Sequence, residues 1–238
     1  MSVDVLAIGA HPDDADLGVG GFLCTLADAG KTTAILDLTQ GELGSRGTVA
    51  EREVEAAESA RLLGLTARIN ARLPDGGIAN TPEQRRVVVE IIRQLRPRIV
   101  IGPLRPDRHP DHEAAHDLVK DAHFFSGVHG LKTESPTYRA QSLYGYTAYF
   151  EGANTPTHVV DISAVFDRKL EALRAFKSQL YNVDYDGPET LVASSQFWDA
   201  ITTRAAYWGN TIGVRYGEPL YGTLPLAMNL PPELEEPS

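Results

Sequence analysis

The 238-residue chain contains one cysteine, Cys24. A lone cysteine cannot form an intrachain disulfide, so the fold has no covalent staple and a cytoplasmic location is the expectation. No basic cluster surrounds Cys24, so core packing on a helix is expected of it rather than thiol chemistry. Positive charge is in deficit as well. Lys and Arg number 22 against 32 Asp and Glu, a formal net charge of −10. A surface of that sign repels a phosphate backbone, so no nucleic-acid partner is expected. No apolar run reaches the roughly 20 residues a bilayer requires, and MSVDVLAIGA lacks the basic start of a signal peptide. No membrane partner is expected. Nucleotide loops are missing too: no G-x-x-x-x-G-K-[ST] occurs, and Gly9, Gly18, Gly20 and Gly21 do not give the G-x-G-x-x-G spacing.

What is present is an ordinary globular composition, 42% hydrophobic and 23% charged, sufficient for one sizeable core. Val3–Ala10 reads as a buried parallel strand, and Leu17–Ala29 as a helix that stops at Gly30. Thr32–Leu38 reads as a second strand. Thr48-Val49-Ala50-Glu51 has the form of a capping box, starting a helix that runs to Leu63 and Gly64. A third strand follows at Ala67–Leu73. Thr81-Pro82-Glu83-Gln84 starts the next helix, and Ile99–Gly102 is a fourth strand. In the second half, Gln141–Phe150 and Thr157–Ile162 read as strands and Ser163–Gln179 and Ser195–Trp208 as helices. Residues 182–194 read as a mobile loop. This alternation predicts an α/β, Rossmann-like, mostly parallel sheet flanked by helices, in one domain over 1–230 with an acidic tail over 231–238. In such folds the ligand crevice lies at the carboxyl ends of the strands.

Two of those ends carry a His-Pro-Asp triplet: His11-Pro12-Asp13-Asp14 after the first strand and His109-Pro110-Asp111-His112 after the fourth. Adjacent strands would bring histidines and carboxylates together, and imidazole plus carboxylate suits a catalytic zinc with one open position. Loop capping is the bland alternative, with Asp13 or Asp14 as the N-cap of the following helix. A nucleotide loop is disfavoured because three acids near the turn would repel a pyrophosphate. His112-Glu113-Ala114-Ala115-His116 matches H-E-x-x-H, the zinc-protease pattern, but that reading leaves His11, Asp13, Asp14 and His109 idle. A ferrous oxygenase with two histidines and one carboxylate, or a non-catalytic metal-binding module, would use the same donors. The C-terminal aromatics Tyr181, Tyr185, Trp198, Tyr207 and Trp208 read as core or subunit packing.

AHPDD, TQGE (Thr39–Glu42), GSRGTVAERE (Gly44–Glu53), LPDGG (Leu73–Gly77), RHPDH (Arg108–His112) and IGVRYGE (Ile212–Glu218) together resemble the LmbE-like, PIG-L-type N-deacetylases. Within that family the chain resembles the bacillithiol-pathway deacetylases, which act on N-acetylglucosaminyl-malate. The resemblance implies a Rossmann-like fold without a nucleotide and a single catalytic zinc; the residues themselves leave ferrous iron open as the alternative ion. The resemblance implies His11, Asp14 and His112 as metal ligands and Asp13 as general base. It implies His109 as the oxyanion donor, an imidazolium oriented by Asp111, and Arg52 and Arg46 as substrate contacts. Without it, Arg52 reads as a surface arginine paired with Glu51 or Glu55. The implied partners are a small N-acetyl sugar conjugate and further copies of the chain, in a homo-oligomer of up to six. Two positions depart from the family pattern. Asp16 stands where Glu is usual, with a structural role expected, and Phe197 stands where some members carry a substrate-facing tyrosine.

Overall fold

A computed structural model describes residues 2–148 and 154–222. Seven strands form a sheet in the order β3-β2-β1-β4-β5-β7-β6. They are β1 (Val5–Gly9), β2 (Thr33–Asp37), β3 (Ala67–Asn70), β4 (Ile99–Pro103), β5 (Ser142–Tyr146), β6 (His158–Asp161) and β7 (Gly217–Gly222). The first five run parallel, and β7 is antiparallel to both β5 and β6. The helices are α1 (Asp14–Asp28), α2 (Val49–Leu63), α3 (Pro82–Leu95), α4 (Pro110–Ser126), α5 (Phe166–Arg174) and α6 (Ser195–Thr211). The expected α/β, Rossmann-like architecture is therefore present.

The central strand explains the layering. Every residue of β1 is buried. Leu6 and Ile8 join one core with Val88, Val89 and Ile92 of α3 and Leu118 of α4. Val5 and Ala7 join another with Val19 and Leu23 of α1 and Phe166 of α5. Period-2 alternation thus feeds two cores through one continuous apolar run. Local signals behave as their chemistry dictates. Thr48 and Glu51 form the reciprocal capping box, and Gly64 ends α2 in a left-handed conformation (φ 75°). Thr81 caps α3 by accepting the Gln84 N–H, with Pro82 at the first helical position. Cys24 is buried on α1.

Most strands are a residue or more shorter than expected, and larger differences occur at two helices and one strand. The helix expected over Ser163–Gln179 ends at Arg174, because Ser178 and Gln179 are bonded across to Glu55, Arg46 and Arg52 instead. The first helix begins at Asp14, before its apolar spacing starts at Leu17. Strand β7 replaces an unassigned segment. The end of the expected Gln141–Phe150 strand and the acidic tail 231–238 lie outside the described residues.

Helix α1 is two helices joined at Val19, whose backbone (φ −138°, ψ 16°) is not helical. Buried Lys169 and Glu218 hold the break. Lys169 Nζ donates to the Leu17 carbonyl at 2.7 Å and to Glu218 Oε1 at 2.6 Å. Glu218 in turn accepts the Gly21 and Phe22 N–H groups at 2.9 and 2.6 Å.

Candidate active site

Because β1 lies beside β4, their carboxyl-terminal loops meet, and the two His-Pro-Asp triplets converge there. The rings of His11, His109 and His112 lie with centroids 4.8 to 5.5 Å apart. Asp14 joins two of them. Its Oδ2 accepts the His11 backbone N–H at 2.8 Å and lies 3.4 Å from His11 Nδ1. Its Oδ1 lies 3.1 Å from His112 Nε2, and among the described residues this buried oxygen meets no donor in hydrogen-bond geometry. Two imidazoles on one carboxylate, with a buried oxygen left unsatisfied, are the donor chemistry of a cation site.

Electrostatics agree. Burial opposes charge on His11, yet Asp111, Asp14 and Asp75 outweigh it and push its pKa up to about 12. His112 is raised to about 10 against its own burial, mainly by Asp14 and Asp107. Burial would raise Asp14, but His112 and His11 hold it well below the carboxylate range. The acids around these rings demand positive charge, which a bound cation would supply. The donor set thus fits a metal.

Asp13 is set apart from this cluster by its backbone. It precedes α1 with φ 121° and makes no capping hydrogen bond, so neither acid caps the helix as the bland reading expected. Its carboxyl group borders a cavity of about 450 Å³, lined also by His11, Arg46, Arg52, Asp75, Arg108 and His109. Burial and the neighbouring Asp14 raise the Asp13 pKa to about 8.

His109 is half-buried, and its Nδ1 accepts the Asp111 backbone N–H at 3.2 Å. A nitrogen that accepts carries no proton, so this contact selects the neutral ring with its hydrogen on Nε2. Burial, His11 and His112 also lower the His109 pKa. The expected imidazolium oriented by the Asp111 carboxylate is corrected accordingly. The Asp111 carboxylate instead accepts the Gly76 N–H at 2.8 Å and lies 3.3 Å from His11 Nε2.

The arginines divide. Arg52 is buried, not a surface residue. Its Nη2 donates to Gln179 Oε1 and its Nε has no partner among the described residues. A Cβ at Gly41 (φ 66°) or Gly44 would collide with this guanidinium, which explains both glycines. Arg46 borders the cavity but is occupied by protein: Nε donates to the Ser178 carbonyl at 2.7 Å and Nη1 to the Pro188 carbonyl at 2.8 Å, with its plane over Tyr185. It anchors the 182–194 loop, whose Thr190 and Val192 reach the cavity.

Other expectations resolve in the same geometry. Asp16 forms a buried network with Arg68, Asp37 and Ser59, a structural role. Phe197 is buried in a core with Leu17, Phe176 and Ile201 and does not border the cavity. His116 turns its Nδ1 to the Pro103 carbonyl at 3.0 Å, and Glu113 bonds Arg105 and the Asp107 N–H, so H-E-x-x-H builds no second site. Sequence reasoning missed Asp107, whose Oδ2 lies 3.1 Å from His112 Nδ1, and Asp75, 3.2 Å from His11 Nε2. Their one available signal was an acid in a strand-end loop.

Comparison with known proteins agrees with this geometry. Residues 6–123, which carry both triplets, match the PIG-L family, described as GlcNAc-PI de-N-acetylase. A conserved protein of Thermus thermophilus has the same fold, with a TM-score of 0.85 and 40% identity, over 95% of this chain and 97% of that one. The diacetylchitobiose deacetylase of Thermococcus kodakarensis is 32% identical over 90% of this chain and 80% of its own length. The 1D-myo-inositol 2-acetamido-2-deoxy-alpha-D-glucopyranoside deacetylase of Nocardia farcinica is 29% identical over 50% of this chain and 51% of its own. With the triplets at adjacent strand ends and 32% identity to a deacetylase over 90% of the chain, the chain belongs to the PIG-L, or LmbE-like, family of de-N-acetylases, hydrolases of amide bonds.

Proposed function

We propose that the protein is a zinc-dependent N-deacetylase that releases acetate from a 2-acetamido-glucose conjugate. The carrying observation is that His11, Asp14 and His112 meet directly behind a cavity that His11, Asp13 and His109 border. The two deacetylases named above, of diacetylchitobiose and of a 2-acetamido-2-deoxy-glucopyranoside, act on N-acetylglucosamine units, which supports the sugar. His11, Asp14 and His112 would hold zinc, or ferrous iron in its place. Such a cation lowers the pKa of a bound water towards roughly 7 and polarises a carbonyl oxygen. The remaining chemistry belongs to the chain. Asp13 removes a proton from the attacking water and returns it to the departing amine nitrogen. His109 Nε2–H donates to the oxygen on which negative charge develops. A ferrous oxygenase or a passive metal carrier would use the same donors but would leave Asp13 and His109 without work.

N-acetylglucosaminyl-malate is the conjugate this reading favours, because an anionic aglycone would meet Arg52, a cation that lines the cavity. A homo-oligomer of up to six copies belongs to the same reading, with exposed Val54, Phe124 and Tyr207 available as apolar contacts. The test is acetate release from a panel of N-acetylglucosaminides, with and without malate, before and after chelation. Chelation is expected to abolish release and zinc to restore it. Full activity in metal-free protein would overturn the proposal, and equal rates across the panel would overturn the malate assignment.

A further inference from the structure

Asp75 stands where three loops cross. Its backbone N–H donates to Glu42 Oε1 at 2.9 Å, and its Oδ2 accepts the Leu43 N–H at 2.8 Å. Its Oδ1 lies 3.2 Å from His11 Nε2. Asp111 Oδ2 approaches the same nitrogen at 3.3 Å while accepting the Gly76 N–H. The other ring nitrogen, Nδ1, faces Asp14. The His11 ring is therefore divided: one nitrogen towards the acid of the cation site, the other towards two carboxylates on the opposite edge. An imidazole that gives one nitrogen to a metal keeps its proton on the other, and a carboxylate accepting that proton fixes the ring and raises its basicity.

We propose that Asp75 is a positioning residue that holds His11 by Nε2–H, so that Nδ1 is presented to the metal, and ties that ring to the 39–47 loop through Leu43. Asp111 is the second acceptor of the same proton. Asp107 serves His112 Nδ1 in the same manner, so both ligand rings are braced from behind. The consequence is a coupling between the metal site and the cavity wall: Leu43, at the cavity rim, and His11 share one carboxylate.

Two other roles are open to Asp75 on geometry. It borders the cavity and could bind a sugar hydroxyl, and His11, Asp75 and Asp111 together lie within 4.8 Å, close enough to be ligands themselves. The experiment separates them. Asp75→Ala and Asp75→Asn are compared with the wild type by chelator competition for zinc, by the visible spectrum of the cobalt-loaded protein, and by kcat and KM. Positioning predicts zinc binding weakened by about 10- to 100-fold in Asp75→Ala, less in Asp75→Asn, with shifted cobalt bands, lower kcat and unchanged KM. Unchanged zinc affinity and spectrum with a raised KM would overturn the proposal in favour of a sugar contact. A second zinc equivalent in the wild type, lost in Asp75→Ala, would overturn it in favour of ligation. Asp75→Asn keeps an acceptor for Leu43 and answers the question should the alanine variant not fold. The inference rests on the metal site of the proposed function but not on its substrate. Zinc affinity is read with no sugar present, so its failure is distinct from a failure of acetate release.

Discussion

Asp13 holds a backbone conformation, φ 121°, that costs a non-glycine residue about 1–3 kcal/mol. Its buried carboxyl group also faces the like charge of Asp14. Both costs are withstood at a position whose side chain caps nothing, which supports the proton-transfer role proposed for Asp13. Asp13→Gly is therefore expected to raise the melting temperature, by the strain relieved less about 0.5–1 kcal/mol for the added freedom of the unfolded chain. It should keep its metal and lose turnover by about 10²–10⁴-fold. His112→Ala should lose the metal itself. Metal content after gel filtration, acetate release and thermal melts decide between them, and equal metal loss in both variants would reject the division of roles. At this scale the sequence revealed the residues that belong to repeated local patterns: the two triplets are visible because each is contiguous. Asp75 and Asp107 are bound to the histidines only through space, so no spacing announced them. Arg46 could be seen near the site but not that two carbonyls and Tyr185 already occupy it.

At the scale of elements, the break in α1 at Val19 leaves a carbonyl at the end of one half and N–H groups at the start of the next. Lys169 from α5 satisfies the first and Glu218 from β7 the second, and their own ion pair closes the arrangement. Gly18 lies at the break because a Cβ there would fall 2.0 Å from the Tyr146 ring. Lys169→Met would strand a buried carboxylate, and we expect a loss of about 3–5 kcal/mol in denaturant unfolding. The double variant Lys169→Met/Glu218→Gln removes both charges and should cost less than the sum of the single variants; simple additivity would show that the pair is not coupled. The same region shows where element reading stopped. Strands β1 to β4 announce themselves through apolar runs bounded by caps. Strand β7, GEPLYG, carries two glycines and a proline, all disfavoured in strands, and is held by pairing with β5 and β6 rather than by propensity. Its Glu218 was legible as part of a resemblance, not as the cap of a helix nearly two hundred residues earlier.

At the scale of the whole molecule, α4 connects the site to the opposite end of the sheet. It begins at Pro110, between His109 and Asp111, and ends beside the connection that leads into β5. That far end is fastened by polar groups. Arg93 of α3 donates to the carbonyls of Ser126, Val128 and Leu131, and His123 of α4 places Nε2 3.0 Å from the Ala140 carbonyl. Burial, helped by Arg139, lowers the His123 pKa from 6.5 against the pull of that carbonyl. The folded protein therefore binds fewer protons at this ring than the unfolded chain does. The sign follows: this contribution to stability is complete above pH 6.5 and is lost as pH falls below 6.5 towards the depressed folded value. Melting temperatures of the metal-loaded protein between pH 7.5 and 5.5 should fall, and His123→Gln, which keeps a donor for Ala140 but does not titrate, should fall less steeply. Identical slopes in the two proteins would show that the far end of α4 takes up no proton on unfolding, and that acid sensitivity resides in the carboxylates and histidines at its other end.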